Sequence, residues 1–219
     1  MIIINDTSVE KVVYEAFRQL YKSKKSATDP ELIKEEPAVL IIKYRKNHIK
    51  PVISIKDNKV KYRFEHNTFF PWLKNEKTSL EIRYWKKVLF DTKSISVLAN
   101  HLKKHINSRR AMVDLWDKKF LINLDKGAAC ITQIYFRVKD NKLEIHTHAR
   151  ANDIYECMLL DLHFMQYVHY SVAKINNLEL GDHIHFIDSM QMYKKDLVDI
   201  DKQYRYMGSA KSPWKELFK

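Results

Sequence analysis

The run CMLLDLHFMQYVHYSVAKI, residues 157–175, is apolar on nearly every side of the helix it predicts. A helix with no polar face has to be covered all round, so the rest of the chain must supply a sheet and further helices to bury it. Asp161 stands inside this run, a few residues after Arg150-Ala151-Asn152-Asp153. A carboxylate in apolar surroundings is costly unless something pairs with it, so Asp161 is either exposed surface or a group that waits for a partner.

The covering elements are legible upstream. Thr7 and Glu10 stand at capping-box spacing, and Val9, Val12, Val13, Ala16, Phe17 and Leu20 recur at helical intervals, so the chain is expected to open with an amphipathic helix. AVLIIKY and PVISI are β-branched and bounded by proline, which predicts strands. TSLEIRYWKKVLF and SISVLANHLKKHI predict helices, the second with Ile95, Leu98, Leu102 and Ile106 on one side. ACITQIYFRV and KLEIHTHAR predict a hairpin turning at KDN, and GDHIHFIDSMQMY predicts a strand that leaves a Gly-Asp turn. With three glycines and no repeat, residues 1–219 are expected to form one α+β domain: a mixed sheet, a long buried helix and flanking helices.

No apolar run approaches the length of a membrane span, and MIIINDTSVEK lacks the flanks of a signal peptide, so a cytoplasmic protein is expected. Two cysteines, Cys130 and Cys157, are too few for a disulfide framework. The net charge of +12 calls for an anionic partner. Its lysines are scattered through KSKK, YRKNHIK, KDNKVKYR and HLKKH, the pattern of a solvated surface, and nucleic acid is the less favoured partner.

The hairpin brings chemistry together. If its turn centres on Asp140, Cys130 and Arg150 are cross-strand neighbours; a two-residue turn at Asp140-Asn141 slips that register by one. A guanidinium beside a thiol favours the thiolate, the form that attacks electrophiles. A strand cysteine taken alone is more often packing.

SRRAMVDLWD at 108–117, Cys130, RAND from Arg150, and GDHIHFIDSMQMY ending at Tyr193 together resemble the thymidylate synthase and pyrimidine-nucleotide hydroxymethylase superfamily. In that family an arginine pair precedes the nucleophilic cysteine by about twenty residues and Arg-Ser-x-Asp follows it by twenty. This chain has Arg109 and Arg110, then Cys130, then Arg150 and Asp153. The resemblance implies that Cys130 adds to C6 of a pyrimidine nucleoside monophosphate and that C5 then takes a one-carbon unit from 5,10-methylenetetrahydrofolate. It implies that Arg150 holds the phosphate, and that Arg109 and Arg110 reach over from the other subunit of a homodimer to do the same. A guanidinium suits that task because its fork donates two parallel hydrogen bonds. The family's catalytic Glu is assigned to Glu81, with Tyr84 or Trp85 in its aromatic lining.

The same resemblance gives Asp161 a role. The family places an Asn eight residues after its motif Asp to read the pyrimidine edge, and Asp153 plus eight is Asp161. An amide both donates and accepts, which matches uracil; an ionised carboxylate only accepts, which suits the 4-amino group of cytosine. Two further departures concern the sugar: the family's Ser is Ala151, leaving room for a ribose 2′-hydroxyl, and its His-x-Tyr is Gln191-Met192-Tyr193. The expectation is 5-hydroxymethylation of a cytidine monophosphate, CMP over dCMP. The rivals are a synthase methylating dUMP and an inactive basic scaffold that binds nucleic acid. His146, His148, His183 and His185 alternate along two strands, but no Cys or Asp spacing supports a metal, and they are expected to be neutral hydrogen-bonded side chains.

Overall fold

The computed structural model describes residues 1–24, 26–44, 53–56, 59–62, 84–118, 121 and 128–208. It opens with a strand, β1 (Ile2–Asp6), and not with a helix. Ile2 and Ile4 point into the core while Ile3 and Asn5 point out, an alternation that a three-residue apolar run conceals. Helix α1 (Val9–Lys22) follows with its predicted apolar face buried. Its cap is Ser8, whose hydroxyl accepts from the Lys11 N–H at 3.1 Å, and not Thr7, which is tied to the Asp6 carboxylate.

Strand β2 (Leu32–Ile42) is followed by a separate hairpin of β3 (Ile53–Lys56) and β4 (Lys59–Tyr62). Tyr84, Trp85 and Lys86 are helical and run into a π-helical turn, Lys87–Asp91, then α2 (Ser94–Lys104) and β5 (Met112–Asp114). Ile106, expected on the buried side of α2, lies beyond its end and is exposed. Next come β6 (Ile131–Lys139), β7 (Lys142–Ala149), β8 (Asn152–Asp153), α3 (Met158–Asn176), β9 (Glu179–Tyr193) and α4 (Leu197–Gly208).

The large sheet runs β1-β2-β9-β7-β6-β5, with β8 continuing the β7 edge of β9. It is mixed: β1 is parallel to β2, β7 and β8 are parallel to β9, and the other pairs are antiparallel. The chain is therefore α+β, as its pattern predicts. Helix α3 packs against α1, α2, β7 and β9, and its residues are buried on nearly every side. Trp85 and Phe90 close over it through ring contacts with Phe164, so Trp85 is core. Among the described residues no helix is long and apolar enough to cross a membrane.

The turn into β9 differs from expectation. Asn177, at φ 54°, ends α3 in the left-handed conformation, while Gly181 lies inside β9. A Cβ there would stand 2.8 Å from the Leu143 carbonyl oxygen of the neighbouring strand, so glycine serves close approach and not the turn.

The sheet face under the helices carries one polar layer. Thr147 of β7 lies opposite His185 of β9, and its hydroxyl bonds His183 Nε2 at 2.9 Å and His185 Nδ1 at 2.7 Å. One hydroxyl proton serves one ring, so Thr147 donates to one imidazole and accepts from the other. Burial keeps both rings neutral, with His185 pushed down to about 3, and likewise His169 to about 4. His146 and His148 are on the opposite sheet face, so the four histidines do not converge.

Thr147→Val should therefore cost about 2–4 kcal/mol in denaturant unfolding at pH 7, since two buried ring nitrogens lose their partner. In the wild type these depressed histidines contribute stability that is complete above their ordinary value of 6.5 and lost as pH falls toward about 4 and 3, because the unfolded chain binds protons the fold refuses. A melting temperature unchanged between pH 7 and 4 would contradict this.

Candidate active site

The β6–β7 hairpin turns at Asp140-Asn141, both at positive φ, so the slipped register is the one adopted at its tip: Lys139 pairs with Lys142 and Gln133 with His148. A bulge at Thr132 then restores the lost residue, and Ile131 pairs with Ala149. Consequently Cys130 and Arg150 face each other, with the Arg150 N–H donating to the Cys130 carbonyl at 3.0 Å. The adjacency read from the sequence is real, and a bulge produces it.

Arg150 follows the last residue of β7, and with Ala151 it interrupts the pairing along the edge of β9 before β8 resumes at Asn152. Its guanidinium bonds the carbonyls of Ala128 (Nη2, 2.9 Å) and Ala129 (Nε, 3.3 Å) and lies over the Trp116 ring. Arg150 thus grips the backbone that leads into Cys130. Cys130 is a half-buried thiol.

Asp153 ties the break to α3. Its Oδ1 accepts from the Tyr155 and Glu156 N–H groups at 2.8 and 3.1 Å, while its carbonyl accepts from the Cys157 N–H. The Cys157 carbonyl in turn accepts from the Asp161 N–H, so two successive backbone hydrogen bonds of four-residue span lead from Asp153 at the end of β8 to Asp161 in α3. Burial raises the Asp153 carboxyl to about 6, with Glu156 and Asp196 adding to it against those two backbone bonds. Asp161 is 0% exposed, which excludes the surface reading. It stands in the first turn of α3, where the helix dipole favours a negative charge.

Strand β9 brings the third group. Pairing of Asp153 with Gln191 sets β9 beside the motif, and Tyr193 is raised first by burial and then by the charges of Asp153 and Cys130 nearby. The Tyr193 hydroxyl donates to Gln191 Oε1 at 3.0 Å. Ala151 is buried. Cys130, Arg150, Ala151, Asp153, Gln191 and Tyr193 thus surround one break in the sheet, and Asp161 lies two backbone hydrogen bonds beyond Asp153, in the first turn of α3.

Arg109 and Arg110 do not join them. They are exposed and line a cavity of about 480 Å³ with His101, His105 and Ser108. The Ala111 carbonyl holds the Phe136 N–H, and the stretch of β6 from Cys130 to Phe136 is roughly 20 Å long, so in one subunit the arginine pair and the thiol are far apart. Glu81 lies outside the described residues. Tyr84 is the more open of the two aromatic candidates, its hydroxyl donating to the Leu115 carbonyl at 3.0 Å.

Sequence reasoning missed Trp116 under Arg150, and Asn152, buried with its Nδ2 3.5 Å from His185 Nε2. Asn152 lies inside RAND, but its partner is a strand pairing away, beyond any local pattern.

The Thymidylate synthase family profile matches residues 51–213. The chain belongs to the thymidylate synthase family. Curated relatives are more distant: a thymidylate synthase of Listeria monocytogenes is 25% identical over 122 residues, covering 55% of this chain and 38% of that protein. One from Aster yellows witches'-broom phytoplasma is 24% identical over 50% of this chain and 38% of its own length. One from Mycoplasma mobile is 26% identical over 47% and 35%. The matched segment thus spans well under half of each relative.

The Asp153 carboxyl should titrate with a midpoint near 6, read as a ¹³C-carboxyl shift that disappears in Asp153→Asn. A midpoint near its ordinary 3.8 would mean that the site is wetter than its geometry implies.

Proposed function

We propose that the protein transfers a one-carbon unit from 5,10-methylenetetrahydrofolate to C5 of a cytidine monophosphate, CMP in preference to dCMP, giving the 5-hydroxymethyl nucleotide. Membership of the thymidylate synthase family supports the reaction class: a pyrimidine nucleotide, a folate carbon donor and a dimer. The observation that carries the choice of base is Asp161, a carboxylate fully buried in the first turn of α3, at the position where the family reads the pyrimidine.

In this reading the Cys130 sulfur bonds C6, and C5 attacks the folate methylene carbon. C5 loses its proton, tetrahydrofolate leaves, water adds to the exocyclic methylene, and the sulfur is expelled. Asp161 accepts from the cytosine 4-amino group and from N3 once it is protonated on addition. Against uracil it would set two acceptors face to face, which costs about 1–3 kcal/mol. Arg150 holds the phosphate, Asp153 fixes the turn from β8 into α3, Ala151 leaves room beside the sugar, and Gln191 and Tyr193 contact the sugar 3′-hydroxyl. Glu81 organises the water.

Two features support a homodimer with shared sites. Arg109 and Arg110 lie roughly 20 Å along β6 from their own Cys130, far enough to serve a partner's phosphate. The sheet face opposite α3 carries Ile3, Val39 and Phe186 in register, with Phe186 41% exposed among the described residues, a surface suited to burial against a second copy.

Methylation of dUMP is the second reading, because the curated relatives carry the name thymidylate synthase. The two part at the folate product. Hydroxymethylation releases tetrahydrofolate, whereas methylation uses the folate as reductant and releases dihydrofolate. Incubation with CMP should yield a product heavier by about 30 mass units without dihydrofolate absorbance; dihydrofolate formed from dUMP would overturn the cytidine assignment. Asp161→Asn should lower the kcat/KM ratio of CMP to UMP roughly tenfold to a hundredfold. An unchanged ratio would remove Asp161 from base recognition.

A further inference from the structure

Behind the sugar side of the site runs a line of hydrogen bonds that ends on a carboxylate. The Tyr193 hydroxyl donates to Gln191 Oε1 at 3.0 Å, Gln191 Nε2 donates to Ser189 Oγ at 2.9 Å, and Ser189 Oγ donates to Glu35 Oε1 at 2.5 Å. The line exists because of a bulge. β2 and β9 shift register between Glu36 and Ala38 on one strand and Ile187 and Met190 on the other, with Pro37, which has no N–H to give, at the irregular position. Before the bulge the odd-numbered residues His183, His185 and Ile187 are buried; after it Met190 and Met192 are, and Ser189, Gln191 and Tyr193 turn to the other side. There they form one row, with Glu35 paired directly to Gln191 across the strands.

The end group sets the direction of every bond in the row. A carboxylate only accepts, so the Ser189 proton must point to Glu35. Ser189 Oγ can then only accept from Gln191, which must present its Nε2 there and its Oε1 to Tyr193. The amide could otherwise flip at no cost in bonding. With Oε1 facing it, Tyr193 must donate, and its hydroxyl offers a ligand lone pairs alone. We propose that Glu35, acting through Ser189 and Gln191, makes Tyr193 an obligatory acceptor, so that the site takes a sugar whose hydroxyl donates. Glu35 and Ser189 are positioning residues. The inference rests on the assignment of Tyr193 to the sugar of the nucleotide.

Glu35→Gln allows the whole row to reverse: the new amide can donate to Ser189, Ser189 to a flipped Gln191, and Gln191 to Tyr193, whose proton is released to the ligand. Ser189→Ala cuts the row and lets Gln191 flip. The test is calorimetric affinity for CMP and for 3′-deoxy-3′-fluoro-CMP, which has nearly the same shape at that carbon but no proton to donate. Wild type should bind the fluoro nucleotide roughly ten to a hundred times more weakly than CMP, and in both variants this penalty should shrink to about threefold or less. A merely structural role would weaken both ligands alike and leave the ratio unchanged; that outcome overturns the proposal.

A second reading needs no nucleotide, so it separates failure of this inference from failure of the proposed function. The Raman ring doublet of Tyr193, isolated as the difference from Tyr193→Phe, reports whether the phenol donates or accepts. It should show a donor in wild type and move toward an acceptor in Glu35→Gln. An acceptor in wild type, or no change in the variant, overturns the proposed polarity even if CMP binds.

Discussion

Burying α3 is the constraint on which the rest of the structure depends. An apolar helix that must be covered on nearly every side needs a sheet beneath it and helices and aromatic rings around it, and β7, β9, α1, α2, Trp85 and Phe90 supply them. The pairing breaks at Arg150-Ala151, where β7 stops; β8 then takes up the same edge of β9, and after Asp153 the chain leaves the sheet to enter that helix. The break is the candidate site. It exposes an arginine and half-buries a thiol at one point, and it delivers Asp161 into the first turn of α3, where the helix dipole tolerates a charge that the core would otherwise reject.

Two bulges adjust the sheet to this task. The one at Thr132 returns Cys130 to Arg150 after a two-residue turn has slipped them apart. The one beside Pro37 swaps the parity of β9, so that a strand which begins by burying His183 and His185 ends by presenting Gln191 and Tyr193 outside the core. In both cases one extra residue changes which side chains a strand presents at the candidate site, which is what an irregularity is suited to do.

Much of this is legible in the sequence. The all-round apolarity of residues 157–175, the strand alternation and the Cys130-to-Arg150 interval give the buried helix, the hairpin and the adjacency of Cys130 and Arg150 directly. The failures have physical reasons. A run of three isoleucines has no visible alternation, so β1 was hidden; Thr7 and Ser8 are both good caps, and the choice fell to Ser8 because Asp6 takes Thr7. Gly181 reads as a turn residue, though it is required by backbone approach from the next strand. The Glu35–Ser189 and Thr147–His183 contacts join residues far apart in sequence, and only the strand register brings them together.

The central claim is that Cys130 activates C5 of a cytidine nucleotide for a folate carbon. Release of tritium from CMP labelled at C5 tests it most directly, because attack on C6 is needed before the label can leave and the folate-dependent part of the release reports the new bond at C5. The account predicts release from CMP that requires methylenetetrahydrofolate and disappears in Cys130→Ala with the fold intact. Release from dUMP alone, or release that survives loss of Cys130, would contradict it.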